Sequence, residues 1–328
     1  MQVWLSNASD KLKKQGIYYP LHGSAPDHEY KISTGNALLL IKAVKTRSLP
    51  KYFRKYSLDQ CADPLLYSAE LLQTLTADDA SYLKQFAISQ GMTTHVIAYV
   101  RDVYDIAYSS YLQLVKRRTC TRTFRDFALS DYKLRQFSVV PIYAEWFDEI
   151  SVFHYDSLER SDIATPICHV IGVDPKALPA VSGNKVNRSL SIYESELMRV
   201  ANRLFMETHD KPSTQFSSSI SDQLIAMNPE LKTEILLDQE VLEHFESGMQ
   251  KSVDMINEQY LQEPTMRIFR DTDKRLVTEV PVVHPHVEQF VRTLLVKWLE
   301  NDEIQPRLNW KEIFNPVTYS RLSAYLQR

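Results

Sequence analysis

Glycine is scarce in this chain of 328 residues: there are seven, Gly16, Gly23, Gly35, Gly91, Gly172, Gly183 and Gly248. A loop that cradles a phosphate on backbone N–H groups needs glycine so that the anion can come close. None of the seven opens such a loop, and there is no glycine-rich motif. Cysteine is scarcer still. Cys61, Cys120 and Cys168 are too widely spaced for a metal cluster or a disulfide framework, and a reducing cytoplasm is the simplest compartment to expect. Long apolar runs are missing: Ala37–Ile41 stops at Lys42, far short of a membrane span. No basic-then-apolar leader opens the chain. Positive charge is not in excess either. The net charge of −3 gives no ground for nucleic-acid binding as the main task. His284, His286 and the other histidines lack a third ligand close in sequence, so no metal site is read from the sequence.

What is present is the composition of a globular protein, with 44% hydrophobic and 24% charged residues. Val3, Trp4, Ala8 and Leu12 form one apolar helix face. Lys11, Lys13 and Lys14 suit the helix C-terminal end, and Gly16 suits the residue after it. Further helices are expected near 36–46 and 79–90, and strands near 64–68, 95–100 and 150–154. That alternation argues for a parallel α/β sheet. Beyond about residue 190 the pattern turns helical, over Glu194–Glu207, Asp238–Tyr260 and His286–Asn301. The Ser-rich stretch Pro212–Asp222 reads as a loop or linker, and one or two short strands are expected within Thr265–Val283.

The segment from His95 to Gln113 carries most of the chemistry. Val96–Val100 is an apolar run suited to a buried strand. Arg101 and Asp102 follow at once, and then Ile106, Tyr111, Leu112 and Val115 mark a helix face. In open α/β sheets the ligand sits beyond the carboxyl ends of the strands, where Arg101 would stand. With Ser109 eight residues on, a guanidinium and a hydroxyl could grip one phosphate. The plainer alternative is an exposed arginine at a strand end and a helix serine pointing to water.

A strand, an arginine and a serine eight residues later resemble the 3′-phosphate-binding motif of the sulfotransferase family, in particular the bacterial polysaccharide or carbohydrate type. Other pieces resemble it in the same order. They are Leu65–Glu70 with its Ser-x-Glu ending, the helix Tyr111–Lys116, the strand ending Val152–Asp156, and Ile171–Val173 followed by Val186–Leu190. Together they cover roughly residues 1 to 205. The resemblance implies a three-layer α/β fold with a parallel sheet of P-loop-like sulfotransferase type and a mostly helical C-terminal region. It divides the chain into an α/β core over 1–195 and a helical region over 196–328. The family's other signature, a loop of Gly and Thr/Ser that holds the 5′-phosphosulfate, has no counterpart here. In the family a helix like the one at 3–15 follows that loop directly, so Met1 falls where the loop would just have ended. Two explanations are open: an internal methionine taken as the start, or a product that has lost half its cofactor site. On the first, which is the one expected, the core as given is N-terminally incomplete and the short chain shows no turnover.

The resemblance implies transfer of a sulfuryl group from 3′-phosphoadenosine 5′-phosphosulfate to a hydroxyl, on a carbohydrate. Such chemistry needs a base for the acceptor proton and electrostatic support for the leaving oxygen. Glu70 is the first candidate base, against the alternative of a carboxylate that caps or pairs with a cation. His28, in the loop Leu21–Glu29 that also holds His22, is the second, against a solvated loop histidine. Ser68 could orient the acceptor or Glu70, or bond to nearby backbone. Arg188 and Ser189 resemble a segment lying over the nucleotide. Asn187–Ser189 also fits a glycosylation pattern, which a cytoplasmic protein would not use. Lys116, Arg117 and Arg118 suit either an acidic acceptor or simply a helix C-terminus. Tyr18, Tyr19 and Trp146 could stack on sugars or fill the core. The expected partners are the nucleotide and a carbohydrate, with no nucleic acid and no membrane span. Two rivals are a non-catalytic sulfotransferase-like binding protein and an unrelated α/β transferase with another nucleotide donor.

Overall fold

The structure is a computed structural model that describes residues 1–21, 35–130, 132–158, 162–179, 188–207, 209–231, 234–271 and 275–280. In chain order its helices and strands are α1 Gln2–Lys14, α2 Leu38–Lys45, α3 Leu49–Lys55, α4 Ala77–Ser89, β1 His95–Val100, α5 Val103–Arg117, α6 Phe124–Leu129 and α7 Gln136–Trp146. They continue with β2 Glu149–His154, α8 Thr165–Val170, α9 Ile192–Met206, α10 Thr214–Met227, β3 Glu234–Leu236, α11 Gln239–Gln259 and β4 Arg275–Val277. None of the described helices is long and apolar enough to cross a membrane. The expected helix over His286–Asn301 lies outside the described residues.

The chain forms two compact units interleaved in sequence. One holds the described residues within 1–102, 133–186 and 249–267, the other those within 103–132, 187–248 and 268–280.

In the first unit, β1 and β2 pair in parallel and in step, from His95 opposite Glu149 to Val100 opposite His154. Between them α7 lies against both strands. Thr76 and Asp79 cap α4 reciprocally at 3.2 Å each, and Phe53 of α3 meets Phe86 of α4 edge to face at 4.7 Å. The apolar face of α1, Trp4, Leu5, Ala8 and Leu12, is buried against Ile17, Tyr19, Cys168, Val173 and Leu178, and the Trp4 indole donates to the Pro179 carbonyl at 2.7 Å. The strand expected near 64–68 is reduced to a single parallel bridge between Tyr18 and Leu65. Among the described residues the sheet of this unit is two strands wide. The segment after the bridge is pinned by a side chain instead: Asn36 donates to Leu66 O at 2.9 Å and accepts from Ser68 N at 2.7 Å.

In the second unit, α5, α9 and α10 pack together beside the short parallel pair β3 and β4. The stretch read as a Ser-rich linker is the helix α10. Ser213 caps it through Phe216 N at 3.1 Å, and Phe216, Ile220 and Leu224 fall on one buried face. The serines that suggested a loop serve close packing. Ser217 accepts from Thr119 N at 3.1 Å and donates to Asn202 at 3.2 Å, and Ser221 donates to Lys116 O at 3.2 Å. Buried hydroxyls that find partners cost little, and their small size lets helices approach. Tyr104 is fully buried, with its hydroxyl donated to Leu236 O at 2.8 Å and its ring edge-on to Phe124, Phe245 and Phe269.

Candidate functional site at the strand ends

The parallel register carries the site of the first unit. Because Val100 stands opposite His154, the residues that follow, Arg101–Asp102 and Tyr155–Asp156, leave the sheet side by side at its carboxyl edge. Arg101 is held at three points. The Gln136 side chain, at the start of α7, accepts from Arg101 N at 3.0 Å and donates to Arg101 O at 2.9 Å. Both backbone groups are thereby satisfied where the ladder ends. The guanidinium lies over the Tyr155 ring at 5.1 Å. Its Nη2 meets Asp156 Oδ1 at 3.2 Å, while its Nε is buried without a hydrogen-bond partner. Asp156 bridges, since its other oxygen accepts from Asp102 N at 2.9 Å.

Behind this pair are two buried ionisable groups. His154 and Asp102 have side chains 2% and 0% exposed, with Nε2 and Oδ1 3.0 Å apart. His154 Nδ1 is 2.9 Å from Thr265 Oγ1, and Asp102 Oδ1 accepts from Arg267 N at 2.7 Å. The segment at 265–267 is thus tied to the strand ends through side chains.

Ser109 is half-buried within α5 of the second unit. Glu70 is exposed and opens the 3-10 helix Glu70–Thr74. Its carboxylate opposes the effect of burial, which lowers the pKa of the Met1 amine. Ser68 is half-buried, with its N–H taken by Asn36. His28 and His22 lie outside the described residues. Arg188, in the second unit, is buried: Nη1 and Nη2 meet the two Glu194 oxygens at 2.7 and 2.9 Å, and also donate to Ser189 O and Leu224 O. The four N–H bonds of those nitrogens all have acceptors, while Nε, like that of Arg101, is buried without one. Ser189 is half-buried and contributes its carbonyl. Lys116 is fully buried, donates to Arg188 O at 3.4 Å, and is pushed down to about 8 by burial.

Sequence reasoning placed Arg101 at a strand end and missed the groups that hold it. The repeated ending Val-Arg-Asp and Phe-His-Tyr-Asp on two apolar runs was a usable signal for Asp102, His154 and Asp156. Nothing in the sequence pointed to Gln136 or Thr265. Compared with known proteins, the chain matches no family model, no curated protein and no solved structure at a significant level.

Proposed function

We propose that this chain binds 3′-phosphoadenosine 5′-phosphosulfate and transfers its sulfuryl group to a hydroxyl, on a carbohydrate acceptor, in the cytoplasm. The scaffold proposed is the three-layer α/β arrangement of the sulfotransferases, of which β1, β2 and α7 would be a part. The observation that supports this reading is Arg101: an arginine at the carboxyl edge of a parallel pair, with its backbone clamped by Gln136 and its guanidinium laid on Tyr155. A guanidinium held in place suits two parallel charge-assisted bonds to a phosphate, and its buried Nε–H lacks an acceptor. The pairing of Arg101 with Ser109 rests on their spacing of eight residues alone.

The co-substrate supplies the activated sulfur and a leaving phosphate. In the transfer, the acceptor oxygen forms the new O–S bond, the bridging S–O bond breaks toward the phosphate, and the acceptor proton goes to a base. Glu70, exposed at the head of its short helix, is free to meet an acceptor and is the base we assign. His28 is the next candidate. Arg188 and Ser189 stay assigned to the segment over the nucleotide, with both Nη atoms of Arg188 held by Glu194.

The test is a competition between 3′-phosphoadenosine 5′-phosphate and 5′-AMP. The bisphosphate is expected to bind about 10- to 100-fold more tightly, through charge-assisted bonds worth about 1.5–3 kcal/mol, and Arg101→Ala to remove most of that preference. Equal affinity for the two nucleotides would overturn the reading.

A further inference from the structure

Two polar atoms at the strand ends are close without being bonded. His154 Nε2 is buried and makes no hydrogen bond, yet Asp102 Oδ1 is only 3.0 Å away. Buried polar atoms are nearly always satisfied, and leaving one unsatisfied costs about 1–3 kcal/mol. The arrangement makes sense if both atoms face a third point.

From this convergence we propose that Asp102, His154 and Asp156 bind one divalent transition-metal ion, of the zinc class. Atoms of the three side chains lie within 4.8 Å of one another. Two neighbouring ligands on an octahedral ion with bonds of about 2.1 Å are about 3.0 Å apart, and on a tetrahedral ion about 3.4 Å apart. The His154–Asp102 spacing of 3.0 Å fits the first and is near the second. Ligands on opposite sides of an octahedral ion are about 4.2 Å apart, so a pair at 4.8 Å would close by about 0.6 Å on such an ion and by about 1.4 Å on a tetrahedral one. One imidazole nitrogen with two carboxylate oxygens selects zinc or cobalt over magnesium and calcium. The remaining coordination positions would be filled by water.

The surrounding groups are those a metal site needs. A ligating imidazole is oriented through its other nitrogen, and His154 Nδ1 has Thr265 Oγ1 at 2.9 Å. Donation from Nδ1 leaves the lone pair on Nε2. Each carboxylate is also oriented: Asp102 by Arg267 N at 2.7 Å, and Asp156 by Asp102 N at 2.9 Å and Arg101 Nη2 at 3.2 Å. Arg101 offsets one of the two carboxylate charges, so the ion enters a site of net charge −1 rather than −2. The burial of His154 and Asp102 separates this trio from the exposed carboxylate clusters common on surfaces. The sequence pointed away from a metal because the ligands come from two strand ends far apart in the chain. The site stands independently of the nucleotide reading, since its probe is the metal alone.

The experiment titrates the full chain, stripped by a chelator, with Co²⁺ and then with Zn²⁺. About one equivalent of Co²⁺ is expected to bind, with visible d–d absorption that Zn²⁺ displaces. His154→Ala should weaken binding by about 100-fold or more and Thr265→Val by about 10-fold, each in protein whose circular dichroism matches the parent. His169→Ala, an exposed histidine on α8, should leave it unchanged. X-ray absorption of the zinc complex should show a single imidazole among oxygen ligands, a readout that does not depend on any variant folding. No saturable uptake at about 1 mM Co²⁺, uptake unaffected by His154→Ala, or a zinc shell with no imidazole or several would each overturn the proposal.

Discussion

Lys116 offers a measurement that isolates one buried charge. The side chain is fully buried in the second unit, donates to Arg188 O at 3.4 Å, and has its pKa lowered to about 8. Burial is the largest cause. Arg117 and Arg188 push in the same direction, and Asp222 and Glu194 oppose them. In the unfolded chain a lysine titrates near 10.4, and a gap of that size is worth about 3 kcal/mol between the two protonation states. The sign follows from linkage. Below pH 8 the group is charged in both states, and the folded protein carries the full cost. Between about pH 8 and 10.4 the unfolded chain binds more protons, so stability rises with pH through this window. Buried tyrosines act against this at the top of the range: Tyr108 and Tyr111 are raised by burial, so the unfolded chain loses their protons first above about pH 10. A comparison with Lys116→Met cancels them. Methionine keeps most of the volume and removes the charge, while leaving Arg188 O without its donor at a cost of about 1 kcal/mol. At pH 7 the variant should therefore be the more stable by about 1–2 kcal/mol. At pH 10 the folded amine is neutral and keeps its hydrogen bond, but the unfolded lysine is still largely protonated, so about 0.7 kcal/mol of the charge cost remains and the two proteins should agree within about 0.5 kcal/mol. Urea unfolding of both proteins at pH 7, 8.5 and 10 checks this. A difference that stays constant within about 0.5 kcal/mol from pH 7 to 10 would refute the reasoning.

Two further perturbations test the packing. Glu194→Gln leaves the Arg188 guanidinium buried with neutral acceptors in place of the carboxylate at 2.7 and 2.9 Å; denaturant unfolding should show a loss of about 3–5 kcal/mol, mostly recovered when Arg188→Met is added. Gly35 has φ +83° and a Cβ there would lie 1.8 Å from Ser68 O, so Gly35→Ala should cost about 2 kcal/mol or more, and a loss under about 0.5 kcal/mol would show that the Asn36–Ser68 contact shifts freely.

Local patterns in the sequence determined most of the helices and both strands of the first unit. Trp4, Ala8 and Leu12 mark the buried face of α1 by their spacing, and the run at 96–100 announced a strand because it is apolar throughout, although only Val100 of it is buried and residues 96–99 are half-buried. Local pattern misled at Pro212–Asp222. Serine favours loops when its hydroxyl competes for the backbone, but here Thr119, Asn202 and Lys116 offer partners across the helix contact. Thr119 and Lys116 come from a segment about a hundred residues away, and Asn202 from the preceding helix fifteen residues off, so no short window of sequence shows all three. The extended run at 64–68 fails the other way: its apolar residues suit a strand, yet a strand needs a partner, and Tyr18 alone supplies one.

The site divides along the same line. Composition and order placed an arginine at the end of an apolar strand and a serine eight residues on. They also ruled out a glycine-built phosphate loop within the 328 residues. Only the tertiary structure decided what surrounds that arginine. The parallel register sets Val100 beside His154, and with it Asp102 beside His154 and Arg101 beside Asp156, joining positions more than fifty residues apart. Gln136 and Thr265 enter the same few ångströms from still other elements. The reason is physical: helix and strand propensity act over a few neighbouring residues, whereas charge pairing and desolvation act over distances in space.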